Sequence, residues 1–70
     1  MSVNEDAMED YYADCASSSL DDAERYISEG RKAKAQESYR TAAYFSAKVK
    51  PSNLPEDFQD KLLKLNRKIW

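Results

Sequence analysis

The chain contains no histidine, and Cys15 and Gly30 are the only cysteine and the only glycine among its 70 residues. Without histidine, the sequence has no imidazole base, no serine–histidine–aspartate relay and no histidine metal ligand. A single cysteine excludes a disulfide within the chain and is typical of a reducing compartment. Its acidic neighbours do not favour a reactive thiolate, so we interpret Cys15 as a small core residue. The sequence therefore predicts no enzyme, cofactor site or metal site.

Large apolar side chains are also scarce, because only eleven residues are Leu, Ile, Val or Phe. This share is about 16 %, below the roughly 20 % that usually accompanies a stable globular fold. Five Tyr, one Trp and many Ala supply the remaining apolar surface, and each Ala buries little area. Small domains with so thin a core commonly need a disulfide, a metal or a partner. We therefore expect a partner or self-association to stabilise this fold.

No stretch of the sequence is apolar over the roughly 20 residues that cross a bilayer. The first ten residues are acidic from Glu5 onward and lack the apolar core of a signal peptide. We therefore expect a cytoplasmic protein that neither spans nor enters a membrane.

Apolar residues recur at helical spacing along the chain, and no alternating stretch indicates a strand. We expect an all-α fold in one domain over residues 1–70, a small antiparallel bundle of three to four helices. The expected helices span about 4–16, 20–29, 32–50 and 55–69. Ser19 is the expected N-cap of the second helix, and Gly30 is the expected left-handed residue that follows it. Pro51 and Pro55 separate the last two helices.

Three of these segments carry a recognisable apolar stripe. In the first helix it comprises Met8, Tyr11, Tyr12 and Cys15. In the third it is a seam of mostly small residues, Ala35, Tyr39, Ala42, Ser46 and Val49. In the last it is the regular series Phe58, Leu62, Leu65 and Ile69. Each stripe predicts the face that its helix turns toward the core.

Small and aromatic residues alternate on either side of a glycine in the middle of the chain. The six residues are Ala23, Tyr26, Gly30, Ala35, Tyr39 and Ala42. With these residues, the segment of about 16–49 resembles a single tetratricopeptide (TPR) repeat. The chain departs from that family at Ser19, Asp22 and Ala47, where a large aromatic, Leu and Pro are common. The resemblance implies a central helix hairpin and a binding role, without naming a ligand. A single repeat also needs a neighbour to cover its face.

A second and weaker similarity concerns the segment 19–27. It is similar to one helix of the small Hha/YmoA modulators of bacterial nucleoid proteins, and Asp10, Tyr11 and Trp70 fit that family only with gaps. The family's characteristic central stretch is not recognisable around Ala42 and Ala43.

Charge is divided between the two halves of the chain. Residues 1–30 hold nine Asp or Glu against one Arg, and residues 31–70 hold ten Lys or Arg against four acids. Such asymmetry indicates a charged partner, or docking of one half on the other. Asp6, Asp10 and Asp14 are four residues apart and share one helix face. A divalent cation between two of them is disfavoured against a solvated face, because no calcium-loop spacing is present.

We therefore predict a non-enzymatic protein–protein interaction module, such as an adaptor, inhibitor or regulatory subunit, whose acidic N-terminal face meets a basic partner. The expected contact residues are four acids and two aromatic anchors: Asp6, Glu9, Asp10, Asp14, Tyr12 and Trp70. The alternative is a small nucleic-acid-associated regulator that uses the basic C-terminal half. There, Lys and Arg alternate with Tyr39, Tyr44, Phe58 and Trp70. A homo-oligomer is a further alternative.

Overall fold

The computed structural model describes the backbone of residues 2–70 and the side chains of residues 8–70. The chain forms helix α1 (Ser2–Ser28), helix α2 (Lys32–Ser46), a 3-10 turn (Pro51–Asn53) and helix α3 (Phe58–Ile69). No strand occurs within residues 2–70, and the predicted all-α fold class is confirmed. The molecule measures 44 × 19 × 14 Å along its principal axes.

Helix α1 is one continuous helix of 27 residues, where two helices, 4–16 and 20–29, were predicted. Its inward face is an unbroken series of buried and partly buried residues: Tyr12, Ala16, Leu20, Ala23 and Ile27. These residues follow one another at intervals of four or three, so a single face serves both halves. Serine weakens a helix by less than about 0.7 kcal/mol per residue, which this packing overrides. The predicted N-cap at Ser19 is therefore wrong.

Gly30 ends the turn after α1 in the predicted left-handed conformation, with φ of 79°. Its N–H donates to the Ile27 carbonyl at 3.1 Å, and the Arg31 N–H donates to the Tyr26 carbonyl at 2.8 Å. These two bonds form a Schellman motif and satisfy carbonyls that the helix end leaves open. No atom lies within 4 Å of a Cβ placed on Gly30, so the backbone conformation, rather than space, selects glycine.

The connection at residues 29–31 returns α2 along α1. Tyr12, in the first half of α1, stacks on Phe45 near the end of α2, with ring centroids 5.6 Å apart. The core that the helices share contains four alanines with no exposed surface: Ala16, Ala23, Ala35 and Ala42. Side chains this small let two helices approach closely. The predicted seam of α2 is thus buried or partly buried along its length.

Helix α2 ends at Ser46, four residues before the predicted boundary, and α3 begins at Phe58 rather than at residue 55. The N–H groups of Lys48 and Val49 bond three residues back, to Phe45 and Ser46, which tightens the end of the helix. The connection that follows is packed, because its Val49 and Leu54 side chains are buried.

Helix α3 contacts both α1 and α2. Phe58 and Leu20 line one shared cavity, and the Gln36 Nε2 donates to the Ile69 carbonyl at 3.2 Å. The predicted stripe of α3 is confirmed, since Phe58, Leu65 and Ile69 are buried and Leu62 packs against them.

Candidate functional site

Three exposed carboxylates lie on one side of α1, and we call Asp10, Asp14 and Asp21 the acidic face. Their spacing of four and seven residues aligns them along the helix. No Lys or Arg among the described side chains lies within 4.0 Å of any of the three. Asp6, the first residue of the predicted stripe, lies outside the residues whose side chains the structure describes. The acidic face is therefore open to solvent without ion pairs among those residues.

Glu9 differs from these acids because its carboxylate accepts hydrogen bonds from other residues of the chain. Its Oε1 accepts a hydrogen bond from the Lys50 N–H at 2.7 Å and another from the Asn53 Nδ2 at 2.9 Å. The two bonds hold the connection after α2 against the first half of α1. A partner that contacts the Glu9 carboxylate, as predicted, would therefore compete with these two hydrogen bonds.

These bonds make Glu9 a pH-dependent contact. The hydrogen bond from the Lys50 backbone, and then that from Asn53, lower the pKa of Glu9 below 4.5. A carboxylate with a lowered folded pKa stabilises the fold above its unfolded pKa, and this contribution is lost as pH falls through the folded value. We expect Glu9→Gln to melt below the parent at neutral pH, with the gap in melting temperature narrowing as the pH falls below 4.5.

Thermal melts followed by circular dichroism at neutral pH and at about pH 3 test this expectation. Asp10→Asn, at the neighbouring exposed position, is the matched control and should melt with the parent at neutral pH. Equal melting of Glu9→Gln and the parent at neutral pH would show that the negative charge of Glu9 adds nothing to stability.

A second surface combines aromatic rings with cations, and we call it the aromatic strip: Tyr12, Arg40, Tyr44, Lys48 and Trp70. The Lys48 Nζ lies 4.8 Å from the Tyr44 ring centroid and 5.8 Å from that of Tyr12. The Arg40 guanidinium carbon lies 5.5 Å from the Trp70 ring centroid. Arg40 and Tyr44 are four residues apart on α2, so they are surface neighbours. Cations held over exposed rings suit contact with an anionic or aromatic ligand.

The aromatic strip contains two predicted contact residues, Tyr12 and Trp70, but separates them from the acidic face. Tyr12 and Asp14 are two residues apart, which places them about 200° apart around α1. Phe58, named in the nucleic-acid alternative, is 2 % exposed and faces the core. The predicted contact residues therefore belong to two surfaces.

The first turns of α1 expose apolar side chains that the sequence assigned to the core. Met8 is 48 % exposed and Tyr11 is 59 % exposed, while Cys15 is a half-buried free thiol. Interaction with Cys15, first through a side-chain hydrogen bond and then through charge repulsion, raises the pKa of Tyr11 above 10.0. The predicted stripe is wrong at Met8 and Tyr11, because the face that packs against the core runs through Tyr12, which the stripe included, and Ala13, which it did not.

A groove of about 480 Å³, open to solvent, lies between α1 and α3. Its lining combines Ile27 and Leu65 with polar residues from both helices: Glu24, Ser28, Lys61, Lys64 and Lys68. Lys61 pairs with Asp57 at 3.5 Å and Lys64 pairs with Asp60 at 3.2 Å, both on the exposed surface of α3. The sequence shows that these residues are basic, but it does not indicate that they border a groove between two helices.

Metal and membrane features are absent from the described part of the chain. Within it, no three or more Cys, Asp or Glu residues cluster closely enough to hold a metal ion. None of its helices has the length and apolarity needed to cross a bilayer.

No family model, no curated protein and no solved structure matches the chain. The TPR-like and Hha/YmoA-like resemblances therefore stay predictions from residue spacing. The buried positions Ala23, Ala35 and Ala42 and the left-handed Gly30 are compatible with a TPR-like hairpin. They are equally expected of any close pair of helices joined by a short turn.

Proposed function

We propose that this chain is a non-enzymatic protein–protein interaction module that meets a basic surface of its partner with its acidic face. The carrying observation is that Asp10, Asp14 and Asp21 are exposed on one side of α1. Like charges four residues apart weaken a helix by a few tenths of a kcal/mol. A basic partner surface would relieve that repulsion, and it would raise the association rate and the specificity.

The way the chain holds α1 supports this proposal. α1 is 27 residues long and α2 is 15, so part of α1 extends past α2. Glu9 joins this part to the connection after α2, and Tyr12 stacks on Phe45 at the end of α2. The acidic face therefore lies on a helix that other parts of the chain hold in place, and little conformational entropy is lost when this face binds a partner.

We propose further that the three helices form an antiparallel bundle with a TPR-like hairpin over about residues 16–49. In support, Tyr12 in the first half of α1 contacts Phe45 near the end of α2, and Tyr26 near the end of α1 contacts Arg31 just before α2. This order of contacts is that of two antiparallel helices. α3 supplies the cover that an isolated repeat would take from a neighbour. A cytoplasmic adaptor, inhibitor or regulatory subunit fits these features, and the free thiol of Cys15 suits a reducing compartment.

A second candidate function is binding of single-stranded nucleic acid along the aromatic strip. Tyr44 and Trp70 are 60 % and 54 % exposed, and a cation lies over each ring. Bases stack on exposed aromatic rings while Lys and Arg contact the phosphates. This candidate ranks second because the strip offers only two cations, Arg40 and Lys48.

A pull-down from an extract of the source cell, with and without nuclease, tests both candidates. At about 50 mM salt, where screening is weak, the parent should retain one stoichiometric protein that Asp10→Asn with Asp14→Asn loses. The matched control is Glu37→Gln with Glu56→Gln, which removes two exposed charges outside α1. It should retain the same protein.

Identical recovery with the Asp10 and Asp14 variant would overturn the acidic-face proposal. If retention instead disappears after nuclease treatment and with Tyr44→Ala, the second candidate is favoured.

A further inference from the structure

Residues 49–57 lie between the end of α2 and the start of α3, and we call them the strap. Val49 and Leu54 are its buried side chains, at 6 % and 8 % exposed, and every other residue of the strap is exposed. A segment with few buried apolar side chains and much exposed backbone opens at a lower free energy than a packed helix. We therefore expect the strap to be less stable than the helices on either side of it.

The hydrogen bonds of the strap are mostly local. The N–H groups of Asn53 and Leu54 donate to carbonyls only three residues earlier in the chain. Among the described residues, the bonds that join the strap to α1 are the two to the Glu9 carboxylate. The Lys50 N–H donates to Glu9 Oε1 at 2.7 Å, and the Asn53 Nδ2 donates to the same oxygen at 2.9 Å. One side chain of α1 thus holds the strap by both of these bonds.

The far end of the strap packs loosely on α1. A gap of about 160 Å³, open to solvent, lies between them. Pro55 and Asp57 line this gap from the strap, and Ser17 and Leu20 line it from α1. Atoms that face a gap lack the dispersion contacts of a close-packed interior. The attachment of the strap to α1 therefore depends on its two buried side chains and on the Glu9 bonds.

The strap has the internal stiffness to move as one piece. Pro51 and Pro55 each fix φ near −65°, and residues 51–53 form the 3-10 turn. The backbone bonds of this turn do not involve α1, so the strap can leave α1 with its turn intact. The pairing of α1 with α2 does not depend on the strap, because it rests on four alanines with no exposed surface.

We propose that the strap is a conformational switch, which opens away from α1 while the helices stay folded, and that Glu9 is the latch that keeps it closed. Opening breaks both bonds to Glu9, frees its carboxylate, and exposes Val49 and Leu54. A ligand that binds these groups would shift the equilibrium toward the open state. The inference goes beyond the proposed function, because it concerns a movement of the isolated chain and not the acidic face.

Amide hydrogen exchange of the full chain, followed at each residue by nuclear magnetic resonance, tests whether the strap opens by itself. The protection factors of Asn53 and Leu54 should be about a hundredfold or more below those of Ala23 and Ala42 in the helices. Low concentrations of urea should hardly change exchange in the strap, because local opening exposes little surface, but should accelerate exchange in the helices. One protection factor and one urea dependence shared by all four amides would overturn the proposal.

Glu9→Ala tests the latch. The decisive readout is the exchange rate of the Leu54 amide, because this N–H donates to the Pro51 carbonyl at 3.2 Å and not to Glu9. Removing two hydrogen bonds to a charged group should raise that rate by about tenfold or more. Asn53→Ala removes one of the two bonds and should raise the rate by a smaller factor.

The matched control is Asp10→Ala, which removes the neighbouring exposed carboxylate of α1 and should change the Leu54 rate by no more than about twofold. Circular dichroism checks that every variant keeps its helix content. An unchanged Leu54 rate in Glu9→Ala contradicts the latch, as does an equal increase in Asp10→Ala. An increase confined to the Lys50 amide also contradicts it, since Glu9 would then protect only its own donor. None of these results depends on a partner, so the extract experiment is decided separately.

Discussion

Replacing Phe58 by Ala is expected to lower the free energy of unfolding of this chain by about 3–5 kcal/mol. Phe58 is 2 % exposed and is one of the two largest fully buried side chains, with Ile69. Truncating a buried Phe costs about 3–5 kcal/mol. The free energy of unfolding of a domain is about 0.05–0.15 kcal/mol per residue, so this chain is expected to have about 4–10 kcal/mol in total. The substitution therefore removes a large part of the stability.

Urea unfolding followed by circular dichroism measures this loss. Leu63→Ala is the matched control, because Leu63 lies on the same helix and is 64 % exposed. It should change the free energy of unfolding by no more than about 0.5 kcal/mol. If Phe58→Ala unfolds at the same urea concentration as Leu63→Ala, α3 does not pack as described.

The second large effect is expected from enlarging the alanine seam. Ala35 has no exposed surface and lies in the core that α1 and α2 share. Ala35→Leu would place extra carbon atoms where the helices approach closely, and such overpacking typically costs about 1–3 kcal/mol. We therefore expect a lower melting temperature and a weaker near-ultraviolet signal from Trp70, which packs edge-on against Tyr39 of α2.

Ala33→Leu is the control for this substitution, because Ala33 is exposed two residues away on the same helix. It adds the same atoms without touching α1 and should leave the melting temperature close to that of the parent. A parent-like melting temperature for Ala35→Leu would mean that the helices are not in close contact at the seam.

The helical features that local pattern determines could be predicted from the sequence. The stripe of α3 repeats at one spacing, and Gly30 follows a helix that ends in a polar turn, so both features depend only on nearby residues. The division of α1 was predicted wrongly for the same reason. The serines at 17–19 are a local cap signal, but packing along the full length of α1 determined the outcome.

The candidate site was less predictable because its contacts join distant parts of the chain. The donors to Glu9 are 41 and 44 residues away in sequence, so no local pattern marks that carboxylate as occupied. Which of Tyr11 and Tyr12 faces the core depends on how α1 is rotated against α2. The groove beside Lys64 exists only after α3 packs on α1. Spacing alone did align Asp10 with Asp14.

The central claim is that the acidic face of α1 touches the partner, and site-specific photo-crosslinking tests it most directly. Ser18 lies exposed between Asp14 and Asp21, and Thr41 lies exposed on α2. A photoreactive residue at each position is irradiated in an extract of the source cell at low salt. The account predicts one dominant protein adduct from position 18 and little from position 41. Adducts from position 41 alone, or none from position 18, would contradict it.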